Sequence, residues 1–314
     1  MFALRGLAVC LSFFAVVYAI ASALISQVWR FRSRNSATPR KTATLLLSLR
    51  AMPLLSAALV TLAIVLPSFL ELEPRSFAEP IGKIPAILAL GCLGMFAAGF
   101  ANALCAWHKT NRVVRGWLQG ATAESRSEGV SLFRIRPSAP GLAVAGICAP
   151  RVLLSDAAVA ALSEAELKAA LRHELVHVRR RDNLRKLFLR LTAFPGMSAL
   201  EAEWSEATEM AADDAAVSSS AEALDLAAAL IKISRLAAAQ ATPALTTALV
   251  PNVNSALNAR IERLVAWEQH RPTKQATSRS WYLASALLAA TFCVVASYGA
   301  LLTRMHQMTE WLVR

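Results

Sequence analysis

Residues 163–183 read SEAELKAALRHELVHVRRRDN, and the interpretation of the whole chain turns on this run. Ser163 followed three residues later by Glu166 is a capping box, so a helix is expected to start at Glu164. That helix contains His173-Glu174-Leu175-Val176-His177, the H-E-x-x-H pattern. Residues four apart on a helix lie one above the other, so both imidazoles can reach one metal ion. Glu174 projects about 100° around the helix from His173. Leu167, Leu171, Leu175 and Val178 make a separate apolar stripe for packing, with the histidines off it.

Hydrolytic zinc sites use three protein ligands and keep a fourth position for water. The third ligand is expected on a later helix, where Glu209-Met210-Ala211-Ala212-Asp213 sets two carboxylates four apart on one face. Glu209 is the expected ligand, and Asp213 is expected to accept from a ligand histidine and fix its tautomer. Glu206, on nearly the same face, is the alternative. One Zn2+ per chain follows, with Glu174 as the base that takes a proton from water. An oxyanion donor is also needed. The three tyrosines (Tyr18, Tyr282, Tyr298) lie in apolar runs, so Arg260 is the candidate, ahead of His108 and His270.

Outward from this core the chain is too apolar for an ordinary soluble domain. It has 314 residues, 56% hydrophobic and only 17% charged, where about a quarter charged is usual. Four runs are long enough to span a bilayer: about 7–28, 52–70, 84–107 and 281–303. Pro53 and Pro67 interrupt the second, and Arg50 at its edge is expected to snorkel to headgroups. Ala19-Ile20-Ala21 resembles a leader-peptide cleavage site, but the apolar run continues past it and is read as an uncleaved helix. The +12 net charge lies largely in clusters beside the spans, which argues for topology and anionic lipid rather than nucleic acid. Arg30, Arg32, Arg34, Arg40 and Lys41 follow the first span. Lys109, Arg112 and Arg115 follow the third, and Arg271, Lys274 and Arg279 precede the fourth. By the positive-inside rule both termini lie outside and 108–280 is cytoplasmic. The expected fold is therefore a polytopic α-helical membrane protein of four spans with an inserted cytoplasmic α+β zincin-like metallopeptidase domain. Its units are 1–107 (three spans), 108–280 (the domain) and 281–314 (fourth span and short external tail). Strands are expected at Val130–Ile135, Leu142–Ile147 and Val152–Leu154, and a loop or weak helix at 237–254. Five scattered cysteines give neither a disulfide framework nor a cysteine zinc site.

The run AGICAPRVLLSDAAVAALSEAELKAALRHELVHVRRRDN (145–183), with EMAADDA at 209–215 and RIERL at 260–264, resembles the BlaR/MecR antirepressor membrane metallopeptidases. The resemblance implies a gluzincin-like zinc endopeptidase of a bacterial cytoplasmic membrane, acting on a polypeptide such as a transcriptional repressor, with no direct nucleic-acid contact. It also implies that Leu142, Ala143, Val144, Ala145 and Gly146 form a strand that pairs with extended substrate. Two departures are evident. The sequence stops about ten residues past the fourth span, so a C-terminal penicillin-binding sensor is not expected and a signal would enter through the spans or a sensor partner. Thr208 stands where a basic residue is expected. The prenyl-protein and heat-shock metallopeptidases share H-E-x-x-H, but they place spans between the metal motifs, and the interval from His177 to Glu209 is too short for that. Residues 184–200 suit a membrane-surface helix or a packing helix. A catalytically silent metal-containing scaffold is the non-enzymatic alternative.

Overall fold

The structure is a computed structural model that describes residues 2–31, 38–73, 82–127, 130–135, 141–147, 149–192, 197–237, 247–248, 254–267 and 298–313. Helix α1 (Phe2–Phe31) is followed by α2 (Pro39–Val60), a π-helical turn (Thr61–Val65) and α3 (Leu66–Leu72). The π turn answers Pro67. A proline lacks the N–H donor and its ring crowds the carbonyl four residues back, so the turn widens just before it. Pro53 is accommodated within α2. Helix α4 (Lys83–Leu118) completes a set of three rods long and apolar enough to cross a membrane: Phe2–Arg30, Pro39–Leu72 and Lys83–Leu118.

These rods are longer than the expected spans. The 36-residue rod that holds α4 is about 54 Å long against a hydrocarbon core of about 30 Å. It runs unbroken through the expected boundary at 107–108. The surplus carries charged residues, which shortens the apolar run without ending the helix. Of the expected fourth span, 281–297 lie outside the described residues. Helix α11 (Tyr298–Val313) contains the remainder and docks on the bundle, where Ser68 Oγ donates to the Leu302 carbonyl at 3.0 Å.

The sheet has the order β1-β2-β4-β3-β5, built from β1 (Thr122–Ser127), β2 (Val130–Ile135), β3 (Leu142–Ala145), β4 (Arg151–Ser155) and β5 (Thr247–Ala248). β2 and β4 are parallel, and the other pairings are antiparallel. Alternation along a strand sends successive side chains to opposite faces. Val152 and Leu154 enter the main core with Leu175, Leu226, Leu230 and Ile233, whereas Leu153 faces Trp117 and Leu118 at the far end of α4. The third rod thus ends as a support beneath the sheet. β1 was not expected, because TAESRS carries no apolar alternation. β5 falls in the stretch expected to be loop or weak helix.

Helices α5 (Asp156–Ala161), α6 (Glu164–Arg180), α7 (Asp182–Leu191), α8 (Ser198–Ala216), α9 (Ser220–Ala237) and α10 (Asn254–Val265) complete the described fold. Of the two readings for 184–200, α7 supports packing. Leu189 is buried, Asn102 Nδ2 donates to the Arg190 carbonyl at 3.2 Å, and α4 passes so close at Gly99 that a Cβ there would collide with the Leu191 carbonyl. Arg50 corrects another expectation. It is only 3% exposed and donates through Nη2 to the Thr192 carbonyl instead of reaching headgroups. It lies on the buried α2 face whose Ala43 and Leu46 point at α7 and α8.

Gly99→Ala is expected to cost about 1–3 kcal/mol because backbone must move. Gly91→Ala, where a Cβ meets nothing within 4 Å, is expected to be neutral or mildly stabilising. Thermal unfolding of the two variants in the same detergent separates the outcomes.

Candidate metal centre

The capping box forms as its sequence demands. Ser163 N donates to Glu166 Oε2 at 2.8 Å, and Glu166 N donates to Ser163 Oγ at 3.3 Å. Helix α6 then buries two faces. Leu175, with Leu167, Leu171 and Val178 packed around it, enters the main core. His173, Glu174 and His177 are 0%, 0% and 2% exposed and belong to a second, polar interior.

There the ring nitrogens His173 Nε2 and His177 Nε2 stand 3.1 Å apart. Glu209 on α8 completes a triangle, with Oε2 3.5 Å from His173 Nε2 and Oε1 3.7 Å from His177 Nε2. Ligands at about 2.0–2.1 Å on the corners of a tetrahedron lie about 3.3 Å from one another, so the triangle has the size of three corners around a divalent ion. These three residues form a group able to hold a metal. The expected alternative, Glu206, is exposed.

The outer nitrogens face carboxylates. His177 Nδ1 lies 2.8 Å from Asp182 Oδ2, and His173 Nδ1 lies 2.9 Å from Asp213 Oδ1. Asp182 stands against His177 Nδ1 and Asp213 beside His173 Nδ1, so that both Nε2 atoms face the shared point. Asp182 is the residue that sequence reasoning missed. It reaches back because Arg181 adopts a left-handed conformation, φ 53° and ψ 43°, and turns the chain from α6 into α7 in a single residue. No spacing rule marks such a turn when the residue is not glycine. Arg185 Nη1 donates to the other oxygen of Asp182 at 3.1 Å. Asn183 Nδ2 donates to the carbonyls of Val144 and Gly146 at 3.3 and 3.1 Å, tying the start of α7 to β3.

Arg260 is drawn into the cluster, with a different set of partners from an oxyanion. Its Nε and Nη2 each lie 2.7 Å from an oxygen of Asp213, and its Nη1 lies 3.2 Å from Glu209 Oε2. All three guanidinium nitrogens thus grip the carboxylates from behind. His108 is exposed on α4, and His270 lies outside the described residues. The strand expected to pair with substrate also differs in detail. β3 ends at Ala145, Gly146 leaves it with φ +97°, and β5 occupies its outer edge at Ala143 and Val144. A cavity of about 500 Å³ opens beside His177 where β3 ends, between Val144, Gly146, Asn183 and the exposed Arg179 and Arg181.

The electrostatics follow from burying four carboxylates together. Burial pushes the Glu174 carboxyl up to about 7, against the pull of both histidines. Burial opposes charge on His177, but Glu209 and Asp182 outweigh it and carry the imidazole up to about 10. Glu209 is held well below its usual range: burial is outweighed by His177, His173 and Arg260. Burial also opposes the charge of Asp213, yet Arg260 and His173 bring it down to about 2. Lys186 on α7 is a second residue the sequence did not single out. Burial lowers its pKa, against the attraction of Glu209, Asp182 and Glu174. The centre therefore attracts positive charge, proton or metal, to the two Nε2 lone pairs. Both Glu174 oxygens are buried without a hydrogen-bond partner among the described residues, as suits a carboxylate kept for a transient partner. Thr208 is buried and nothing in the structure explains its place next to Glu209.

The sequence model of one family, described as BlaR1 peptidase M56, matches residues 87–264, more than half of the chain. The match begins in α4 and runs through α6, α8 and Arg260. This chain belongs to the BlaR1 peptidase M56 family. Comparison with curated proteins finds no match. Membership makes this M56 peptidase a membrane-associated, metal-dependent enzyme in outline, and His173, His177 and Glu209 form a group that could hold the metal.

Asp213 has a depressed pKa, so its contribution to stability is complete above its ordinary value of 3.8 and fades as the pH falls through about 2. Asp213→Asn is expected to destabilise chelator-treated protein by about 3 kcal/mol at pH 7. In denaturant unfolding, the gap to wild type should narrow progressively below pH 4.

Proposed function

We propose that this M56 peptidase is a zinc endopeptidase of the bacterial cytoplasmic membrane that cleaves a cytoplasmic regulator or membrane protein in signal transduction. The observation that carries the reading is the unpartnered, fully buried Glu174 between two histidines whose lone pairs meet Glu209. His173, His177 and Glu209 would hold one Zn2+ per chain, and the ion would supply Lewis-acid polarisation of water and of the scissile carbonyl. Glu174 accepts the proton from the attacking water and returns it to the leaving amine. Asp182 and Asp213 keep the two imidazoles in the ligating tautomer. Arg260 offsets the charge of Asp213 and Glu209. Extended substrate runs along β3 toward the cavity beside His177, which requires β5 to give way.

The same reading keeps four spans, the peptidase domain (about 108–280) on the cytoplasmic side and both termini outside, on the strength of the basic clusters that flank the rods. A transcriptional repressor is the substrate suggested by the resemblance of the H-E-x-x-H run and the helices after it, and a membrane sensor is the partner that would deliver the stimulus.

Purified protein is expected to contain about one zinc by elemental analysis. Glu174→Ala should retain that zinc while cleavage of labelled casein falls by about 10³-fold. His177→Ala should lose the metal. Undiminished cleavage by Glu174→Ala would remove the assigned base, and zinc retained with no phenotype in cells would favour the silent scaffold.

A further inference from the structure

Thr192 lies immediately after α7, and its carbonyl accepts from two membrane helices: Arg50 Nη2 of α2, and Tyr18 Oη of α1 at 3.2 Å. Asn102 of α4 takes the Arg190 carbonyl two residues earlier, at 3.2 Å. The last carbonyls of a helix have no partners of their own. Here each of the three apolar rods supplies one donor to this single helix end. The opposite end of α7 is Asp182, which holds His177 Nδ1 at 2.8 Å. Ten residues of helix make a rod of about 15 Å between the two. α7 is therefore a strut, with the membrane bundle at one end and a metal-centre imidazole at the other.

Arg50 is the costly component of this joint. It is 3% exposed, and its Nε and Nη1 have no hydrogen-bond partner among the described residues. A neutral donor could satisfy one carbonyl. A buried cation is expensive in an apolar bundle and characteristic of a working part, and at a helix C-terminus it also meets the negative end of the helix dipole. The same α2 face packs Ala43 and Leu46 against Leu200, Trp204 and Ala207 of α8, the helix that carries Glu209. Trp29 of α1 adds a hydrogen bond to Glu203 at 3.1 Å. Helices α7 and α8, which bring Asp182 and Glu209 to the two histidines, are thus both seated on the bundle.

We propose that Arg50 is a positioning residue of the metal centre, setting the orientation of His177 through α7 and Asp182. The proposal rests on the reading of His173, His177 and Glu209 as the metal site. It makes the arrangement of the membrane helices an input to metal geometry.

The test uses the full chain in detergent, with zinc affinity from chelator competition and the visible spectrum of the Co2+-substituted protein. Arg50→Met, which keeps bulk and removes the donor, is expected to weaken zinc binding by about tenfold and to alter the Co2+ spectrum. Arg50→Lys should restore most of both. Asp182→Asn should weaken binding at least as much, and adding Arg50→Met to it should bring little further loss. Tyr18→Phe, the milder change, should give a two- to threefold loss in the same direction and carries the cycle if Arg50→Met does not fold. Wild-type affinity and spectrum in both Arg50→Met and Tyr18→Phe would overturn the proposal, as would additive losses with Asp182→Asn. A wild-type protein that binds no metal would instead overturn the reading of the centre itself.

Discussion

Mutual neutralisation of buried charge is the constraint on which this structure depends. Glu174, Asp182, Glu209 and Asp213 are all buried, together with His173, His177 and Arg260. A lone ionised carboxylate in such surroundings would be expelled or protonated. Glu209 and Asp213 stay charged because cations or N–H groups stand within ion-pair distance, and Asp182 likewise faces the His177 N–H and Arg185. Remove one partner and the others lose their reason to be inside, which couples helices α6, α7, α8 and α10 more tightly than their apolar contacts alone. Glu174 is the exception, and a carboxylate without a permanent partner is what proton transfer needs.

The apolar packing serves this arrangement. The sheet and α9 hold the leucine face of α6, so the opposite face is presented to α8 at a fixed height. The far end of α4 supports the other side of the sheet, and α2 supports α8. The bundle and the peptidase fold are therefore built through one another.

The clustering of His173, His177 and Glu209 was legible in the sequence because helical periodicity is local. A four-residue interval puts His173 over His177, and Glu209 over Asp213, whatever the rest of the chain does. Ser163 and Glu166 announced the start of α6 in the same way. The role of Arg260 was not legible, because its partners Asp213 and Glu209 lie 47 and 51 residues away on another helix and charge alone cannot choose between a carboxylate and an oxyanion. Arg50 was misread for a similar reason: hydropathy places an arginine at the edge of an apolar run but cannot name the carbonyl it meets. The helices run past the expected span ends because charged residues end an apolar run without ending a helix. β1 was invisible to alternation, since it pairs through its backbone with polar side chains.

The one-residue corner at Arg181 has a consequence for how this chain tolerates change in length. Because the corner has no slack, inserting or deleting a single residue between His177 and Asp182 would swing the aspartate about 100° around its helix and off the imidazole. The number of residues separating the two is then as strict as the separation of the histidines, while the side chain at the corner itself is exposed and open to exchange, glycine included.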